Sequence, residues 1–246
     1  MKKYGLIGKT LGHSFSRKFF TEKFAAEGID AVYSNYEIPV AQDFLDVVKD
    51  KDLVGLNVTI PYKQDVMKMM DSLSEEARSI GAVNVVRIDH DNHTLKGFNT
   101  DVIGFMNSIR PLLQPRHTDA LVLGTGGASL AITYGLHKLG LNTQSVSRTK
   151  GEGRVTYDEL TPELMARYKV IVNCTPLGTF PNVDECAAIP YECLTPEHLL
   201  YDLVYNPEET KFLRMGRLHG AATKNGYEML VLQAIASWEI WNGLID

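Results

Sequence analysis

The sequence predicts an α/β fold in two domains built on mostly parallel sheets. Strand-like and helix-like segments alternate along all 246 residues, the pattern of repeated strand–helix–strand units. Pro111 and Pro115 interrupt that alternation, and a fresh strand–loop–helix–strand unit starts just after them. The chain is long for one core and comfortable for two.

In the first region, residues 4–8 form a short strand. The loop Lys9-Thr10-Leu11-Gly12-His13-Ser14-Phe15-Ser16 follows. A helix from Ser14 or Ser16 to Glu27 carries Phe19, Phe20, Phe24 and Ala25 at helical spacing, and Gly28 suits the position past its end. Residues 31–38 make a second strand and 41–49 a second helix. Val54, Leu56, Val58 and Ile60 then alternate with Gly55, Asn57 and Thr59, a period of two that predicts a strand. Pro61 ends it, because proline has no N–H for a ladder. Lys63 stands two residues on. Polar groups at the tip of a buried strand are where open α/β sheets put their chemistry; the plainer alternative is a solvated lysine opening a surface helix. Helical segments at 64–70 and 74–80, strands at 83–88 and 94–98, and a helix to residue 109 capped by Asn99-Thr100-Asp101 complete the region.

The second region opens on a buried strand at 120–123, a glycine loop Gly124-Thr125-Gly126-Gly127-Ala128-Ser129, a helix at 130–139 ended by Gly140, and a strand at 143–147. A helix near 157–167, a strand at 170–173, a long loop and a strand at 199–204 follow. Residues 207–215 read as a helix with Glu208 and Glu209 in its first turn. A short strand at 221–223, the turn Asn225-Gly226 and a long helix at 227–241 close the chain.

Composition excludes several classes of function. Hydrophobic residues make up 44% and charged residues 22%, as in ordinary globular proteins. A net charge of −5 gives no general attraction to nucleic acid or an anionic membrane. No apolar run approaches the ~20 residues of a membrane span. The apolar stretch after Met1-Lys2-Lys3 is short and broken by Lys9, which makes it a first strand rather than a secretory leader and the cytosol the expected compartment. The three cysteines, Cys174, Cys186 and Cys193, are odd in number and loosely spaced, against a disulfide framework or zinc site. His90 and His93 fall in a polar segment that a hairpin turn explains better than a metal site.

The glycine loop carries the sharpest local chemistry. Gly124-x-Gly126-x-x-Ser129 is a variant of the dinucleotide fingerprint. Its first glycine permits the turn, its second lets the backbone approach a pyrophosphate, and its third position needs a small residue for strand–helix packing. Helix N-terminal amides would face the phosphates. The alternative is an unliganded α/β turn. At the tip of the next strand an NAD site carries Asp or Glu for the ribose 2′-OH. This chain carries Ser147-Arg148-Thr149-Lys150, with Arg154 nearby. Those cations suit a 2′-phosphate that a carboxylate would repel, so the residues predict NADP(H) over NAD(H).

Eight motifs then stand in order: Gly12–Ser16, Asn57–Lys63, Gly81-Ala82-Val83-Asn84, Asn99-Thr100-Asp101, Gly124–Ser129, Ser147-Arg148-Thr149, Asn173-Cys174-Thr175-Pro176 and Met229-Leu230-x-x-Gln233-Ala234. Together they resemble bacterial-type shikimate dehydrogenases over nearly the whole chain. The resemblance implies reversible, NADPH-dependent reduction of 3-dehydroshikimate to shikimate on the route to chorismate and aromatic amino acids. It implies a substrate domain of residues 1–109 with 227–246, a Rossmann-like NADP-binding domain of residues 110–226, and a cleft between them. The partners are small molecules, with no nucleic acid and no membrane, in a monomer or homodimer.

The resemblance also assigns roles. Lys63 and Asp101 are the catalytic pair. Ser14, Ser16, Thr59, Asn84, Tyr205 and Gln233 bind substrate. Gly124, Gly126, Gly127, Ala128, Ser147, Arg148, Thr149, Asn173, Thr175, Leu203 and Gly226 bind cofactor. Chemically, a cationic lysine can polarise a carbonyl and donate a proton to it, and a carboxylate beside it keeps it charged and oriented. Thr125, Ser147 and Val102 depart from the family, which has Ala, Asn and Gly at those places.

Overall fold

A computed structural model describes residues 1–12 and 14–246; His13, within the Gly12–Ser16 motif, lies outside the described residues. The described chain divides into two compact units, Met1–Thr100 with Gln233–Asp246, and Asp101–Leu232.

The first unit contains β1 (Lys2–Gly8), α1 (Phe15–Glu27), β2 (Ala31–Glu37), α2 (Phe44–Val47), β3 (Leu53–Val58), α3 (Lys63–Met67), β4 (Ser72–Leu73), α4 (Glu75–Ile80), β5 (Val85–Asp89) and β6 (Thr94–Phe98). Its sheet has the order β2-β1-β3-β5-β6-β4. β1 pairs in parallel with β2 and β3, while β5 and β6 form the antiparallel hairpin expected around His90 and His93. Caps set the helix ends. The Ser14 hydroxyl accepts from the Arg17 N–H and Gly28 ends α1 at φ 64°, in the left-handed region where glycine is least strained. Ser74 and Gly81 bound α4 in the same way. One core gathers Ile7, Phe44, Leu56, Val58 and Val66; another gathers Tyr4, Phe20, Tyr33, Phe98 and Trp241.

Two elements differ from expectation. β3 stops at Val58, short of Pro61. Its neighbour β1 ends at Gly8, the Thr59 N–H makes a last bond to Ile7 O at 2.9 Å, and Ile60 is left 71% exposed. The helix expected over 41–49 shrinks to a 3₁₀ turn at Ala41–Asp43 and the single turn of α2, since Val47 and Val48 propagate a helix poorly.

The second unit contains α5 (Asp101–Ile109), β7 (Asp119–Leu123), α6 (Gly127–Lys138), β8 (Asn142–Ser147), β9 (Arg154–Thr156), α7 (Pro162–Arg167), β10 (Val170–Asn173), β11 (Leu199–Asp202), α8 (Lys211–Leu218), β12 (Ala222–Lys224) and the start of α9 (Tyr227–Trp241). Its sheet is parallel throughout, in the order β12-β11-β10-β7-β8-β9. That is the doubly wound arrangement, whose order reverses between β7 and β10. The strands are buried on both faces, as parallel sheets require.

The chain passes from one compact unit to the other at Thr100/Asp101 and again at Leu232/Gln233. Packing explains both points. α5 buries Phe105 and Ile109 in the same core as Ile132, Leu136, Val172 and Met229. It approaches α6 closely at Gly135, where a side chain would come within 3.1–3.3 Å of Phe105, Met106 and Val102. The helix expected over 207–215 starts instead at Lys211, because the Thr210 hydroxyl caps it by accepting from the Leu213 N–H.

Candidate active site

In the first unit, backbone bonds seat the predicted residues on one edge of the sheet. The Val58 N–H donates to Asn84 O at 2.8 Å, and the Val83 N–H donates to Lys63 O at 2.9 Å. Thr59, the first turn of α3 and the entry to β5 are thereby held together. Tyr62 anchors that turn, its hydroxyl donating to Ile38 O at 2.6 Å. Lys63 is half-buried and Asn84 buried.

A chain of neutral polar side chains runs beneath this edge. The Tyr33 hydroxyl donates to Asn57 Oδ1 at 2.7 Å, and Asn57 Nδ2 donates to Ser237 Oγ at 3.0 Å. Ser237 donates to Gln233 O at 2.8 Å and lies 3.3 Å from Thr100 Oγ1. The Thr100 N–H donates to Asn84 Oδ1 at 2.7 Å, and Asn84 Nδ2 donates to Thr100 Oγ1 at 3.2 Å. Burial pushes the Tyr33 phenol well above its ordinary value, and a hydrogen bond with the Ser16 side chain pulls the other way. The network thus touches Ser16, Asn84 and the backbone of Gln233.

Sequence reasoning missed Asn57, Tyr33, Thr100 and Ser237 as parts of the site. The available signal was Asn57 itself, a side-chain amide between Leu56 and Val58. It lies in β3, which is covered on both faces, with Trp241 packed directly on Gly55.

In the second unit, the glycine loop follows β7 at the point where strand order reverses. Gly124 has φ 100°, a conformation glycine tolerates best. Gly126, the N-cap of α6, has φ −80°, ψ 179° and no side-chain cap. A side chain added at Gly126 or Gly127 would meet nothing within 4 Å. Ser129 turns its hydroxyl back to Gly126 O at 2.6 Å. α6 therefore starts with an open backbone face and amides that no side chain caps, a cradle that fits a pyrophosphate.

Ser147 ends β8, with Arg148, Thr149 and Lys150 exposed after it; the Ser147 hydroxyl accepts from the Thr149 N–H at 3.3 Å. Asn173 ends β10, and its Oδ1 accepts from Thr175 N at 3.0 Å and Thr175 Oγ1 at 2.6 Å. The Leu203 N–H donates to Asn173 O at 3.0 Å. Gly226 is pressed against the Leu203 carbonyl, so no side chain fits there. Tyr205 is 37% exposed just beyond β11. Burial, with the Asp202 carboxylate, pushes the Cys174 thiol far up, which makes it inert.

The first-unit set Ser16, Thr59, Lys63, Asn84 and Gln233 thus shares one framework, while Ser14 serves as a helix cap. Gly124, Gly126, Gly127 and Ala128, together with Asn173, Thr175 and Leu203, gather at the C-terminal ends of β7, β10 and β11 in the second unit. Asp101 opens α5, immediately after Thr100.

This fold and glycine loop define an α/β protein with a doubly wound nucleotide-binding unit. Residues 6–86 match the family described as shikimate dehydrogenase substrate binding domain. The chain is 35% identical over 271 residues to shikimate dehydrogenase (NADP(+)) of Caldicellulosiruptor saccharolyticus, covering 100% of this chain and 94% of that protein. It resembles the Thermus thermophilus shikimate 5-dehydrogenase solved with NADP(H) and shikimate, with TM-score 0.86, 28% identity, and coverage of 100% of this chain and 95% of that one. It also resembles quinate dehydrogenase of Corynebacterium glutamicum solved with NAD, with TM-score 0.88, 28% identity, and coverage of 98% and 94%. The chain belongs to the shikimate dehydrogenase family.

Proposed function

We propose that this protein reduces 3-dehydroshikimate to shikimate with NADPH, reversibly: NADPH, a proton and the ketone give NADP⁺ and the alcohol. The observation that carries the reading is the shared edge on which Thr59, Lys63 and Asn84 are seated by backbone bonds, in a chain similar to NADP-dependent shikimate dehydrogenases over its full length.

When bound, the nicotinamide supplies hydride to the carbonyl carbon. Lys63 polarises the carbonyl and gives the oxygen its proton. Asp101 keeps Lys63 charged and aimed. Ser14 and Ser16 hold the substrate carboxylate through their hydroxyls, and Thr59, Asn84, Tyr205 and Gln233 take its remaining polar groups. Gly124, Gly126, Gly127 and Ala128 admit the pyrophosphate. Ser147, Arg148 and Thr149 take the adenosine phosphate, and Asn173, Thr175, Leu203 and Gly226 lie along the nicotinamide half. On this reading residues 1–109 with 227–246 serve the substrate and 110–226 the cofactor. The protein works in the cytosol, as a monomer or homodimer, on small molecules alone. Among the described residues no helix is long and apolar enough to cross a membrane.

A quinate-oxidising, NAD-linked activity is the second reading, favoured by the likeness to the Corynebacterium enzyme. The tip of β8 opposes it, because it offers Arg148 and no acid. Turnover of 3-dehydroshikimate with NADPH decides the matter. Substrate that binds but shows no turnover at saturation would defeat the proposal. Lys63→Ala should lower kcat by about 10²- to 10⁴-fold with KM changed only a few-fold.

A further inference from the structure

A buried carboxylate sits where the proposed chemistry does not use one. Asp202 ends β11 and is 0% exposed. Its Oδ1 accepts from Asn173 Nδ2 at 2.9 Å and from the Val204 N–H at 3.0 Å; its Oδ2 accepts from Thr210 Oγ1 at 2.5 Å. Three partners on three segments thus converge on one side chain. Through Asn173 it fixes Thr175, whose hydroxyl accepts in turn from the Leu177 N–H at 3.4 Å. Through Val204 it fixes the turn that presents Leu203. Through Thr210 it is tied to the cap of α8.

A charge buried this deeply is retained only where its lone pairs are satisfied. Here the donors come from the end of β10 and from the segment after β11, at the C-terminal edge of the parallel sheet, the edge at which doubly wound folds hold ligands. A purely structural clamp between β10 and β11 needs no charge, because the strands already pair by backbone bonds.

We propose that Asp202 is a positioning residue for hydride transfer: without touching cofactor or substrate, it sets the loops carrying Asn173, Thr175 and Leu203 in register for the nicotinamide half of NADP(H). The proposal rests on the NADPH-dependent reading above. It assigns Thr210 as the second member of the device, through its hydroxyl.

The test compares wild type with Asp202→Asn, Thr210→Val and Thr210→Ser. In the first two, kcat should fall on the order of 10- to 100-fold, the scale of a misplaced reacting group. Their KM for shikimate and their Kd for 2′,5′-ADP, a probe of the adenosine half, should stay within about twofold. In cofactor-free protein, amide hydrogen exchange at Thr175 and Val204 should accelerate in both. Thr210→Ser keeps the hydroxyl and should behave as wild type. Unchanged kcat per folded molecule, unchanged exchange at those amides, or a loss shared equally by 2′,5′-ADP would overturn the proposal. Wild-type turnover is measured first. Its absence would defeat the functional reading and this proposal together, whereas turnover that survives in Asp202→Asn defeats this proposal alone.

Discussion

The glycine loop contains glycines kept for two different reasons, and single alanine substitutions should separate them. Gly124 has φ 100°, and a Cβ there would come to 3.0 Å from Thr175 Cγ2. Gly124→Ala therefore imposes a left-handed backbone on alanine as well as a tight contact, and should cost the fold about 1–3 kcal/mol. In a unit this size that lowers Tm by several degrees, at roughly 2–4 °C per kcal/mol. Gly126 is the opposite case. Its φ of −80° and ψ of 179° suit any residue, and an added Cβ meets nothing within 4 Å. Alanine is a poorer N-cap than glycine, but it also restricts the unfolded chain; these effects nearly offset, so Gly126→Ala should stay within about 1 kcal/mol of wild type. The added methyl nevertheless fills the open face at the start of α6. Losing one charge-assisted hydrogen bond to a phosphate costs about 1.5–3 kcal/mol, or ~10- to 100-fold in Kd. Thermal melts without ligand and calorimetric titration with NADPH read the two effects separately. If both variants melted alike, or if Gly126→Ala bound NADPH within about twofold of wild type, the argument that this glycine is kept for a ligand would fail.

Arg148→Ala should lower kcat/KM for NADPH by about 10-fold or more while leaving NADH nearly unchanged, because only the phosphorylated ribose gives the guanidinium a partner; equal losses with both cofactors would refute that assignment. Asp202 should make stability fall as pH rises. Burial pushes its carboxyl up to about 6, against the pull of Thr210, the Val204 N–H and Asn173. The unfolded carboxyl titrates near ~3.9. The folded protein therefore binds the extra proton between about pH 4 and 6, and stability drops through that window by roughly 3 kcal/mol. Urea denaturation of wild type and Asp202→Asn from pH 4 to 7 checks it; parallel pH profiles would show that no such titration occurs. Trp241→Ala should destabilise the first unit by about 3–5 kcal/mol. The indole packs on Tyr4 and Phe20 at 4.9 and 5.2 Å between ring centroids, and its N–H donates to Val86 O at 3.1 Å. A loss below about 1 kcal/mol in denaturant melts would mean that the C-terminal segment does not complete this core.

How much of this was legible in the sequence depended on the range of the interactions. The strand–loop–helix around Gly124–Ser129 was readable because everything that shapes it lies within one short segment, and the basic tip of β8 was readable for the same reason. Caps such as Ser14, Gly28 and Gly81 are local too. Boundaries failed where a distant partner decides. The expected start of α8 at Pro207 gave way to Lys211, and the Thr210 cap that sets it is held in turn by Asp202, a bond that nothing in residues 207–215 announces. Nor does the segment of α5 announce that it packs through Phe105 and Ile109 on a core formed later in the chain. The part Asn57 plays was not legible, since its partner Ser237 lies 180 residues away. The placement of Thr59, Lys63 and Asn84 relative to one another came only with the sheet order, because β5 pairs antiparallel to β3 and returns Asn84 to the same edge as Thr59.

The two units use opposite means to make a rigid polar edge, and the proposed ligands explain the difference. The first-unit network of Tyr33, Asn57, Ser237, Thr100 and Asn84 contains no formal charge. Neutral groups that satisfy one another cost little to bury. On the proposed reading, a carboxylate within this network, in addition to Asp101, would repel an anionic ring acid through a medium that screens poorly. In the second unit the ligand proposed for the loops beside Asp202 is the nicotinamide half of the cofactor. Asp202 can remain there as an anion at neutral pH because three donors satisfy its oxygens. The network beneath the proposed acid site is therefore neutral, and the carboxylate behind the proposed nicotinamide loops is enclosed. An arrangement serving stability alone would have no reason to distribute charge in that way.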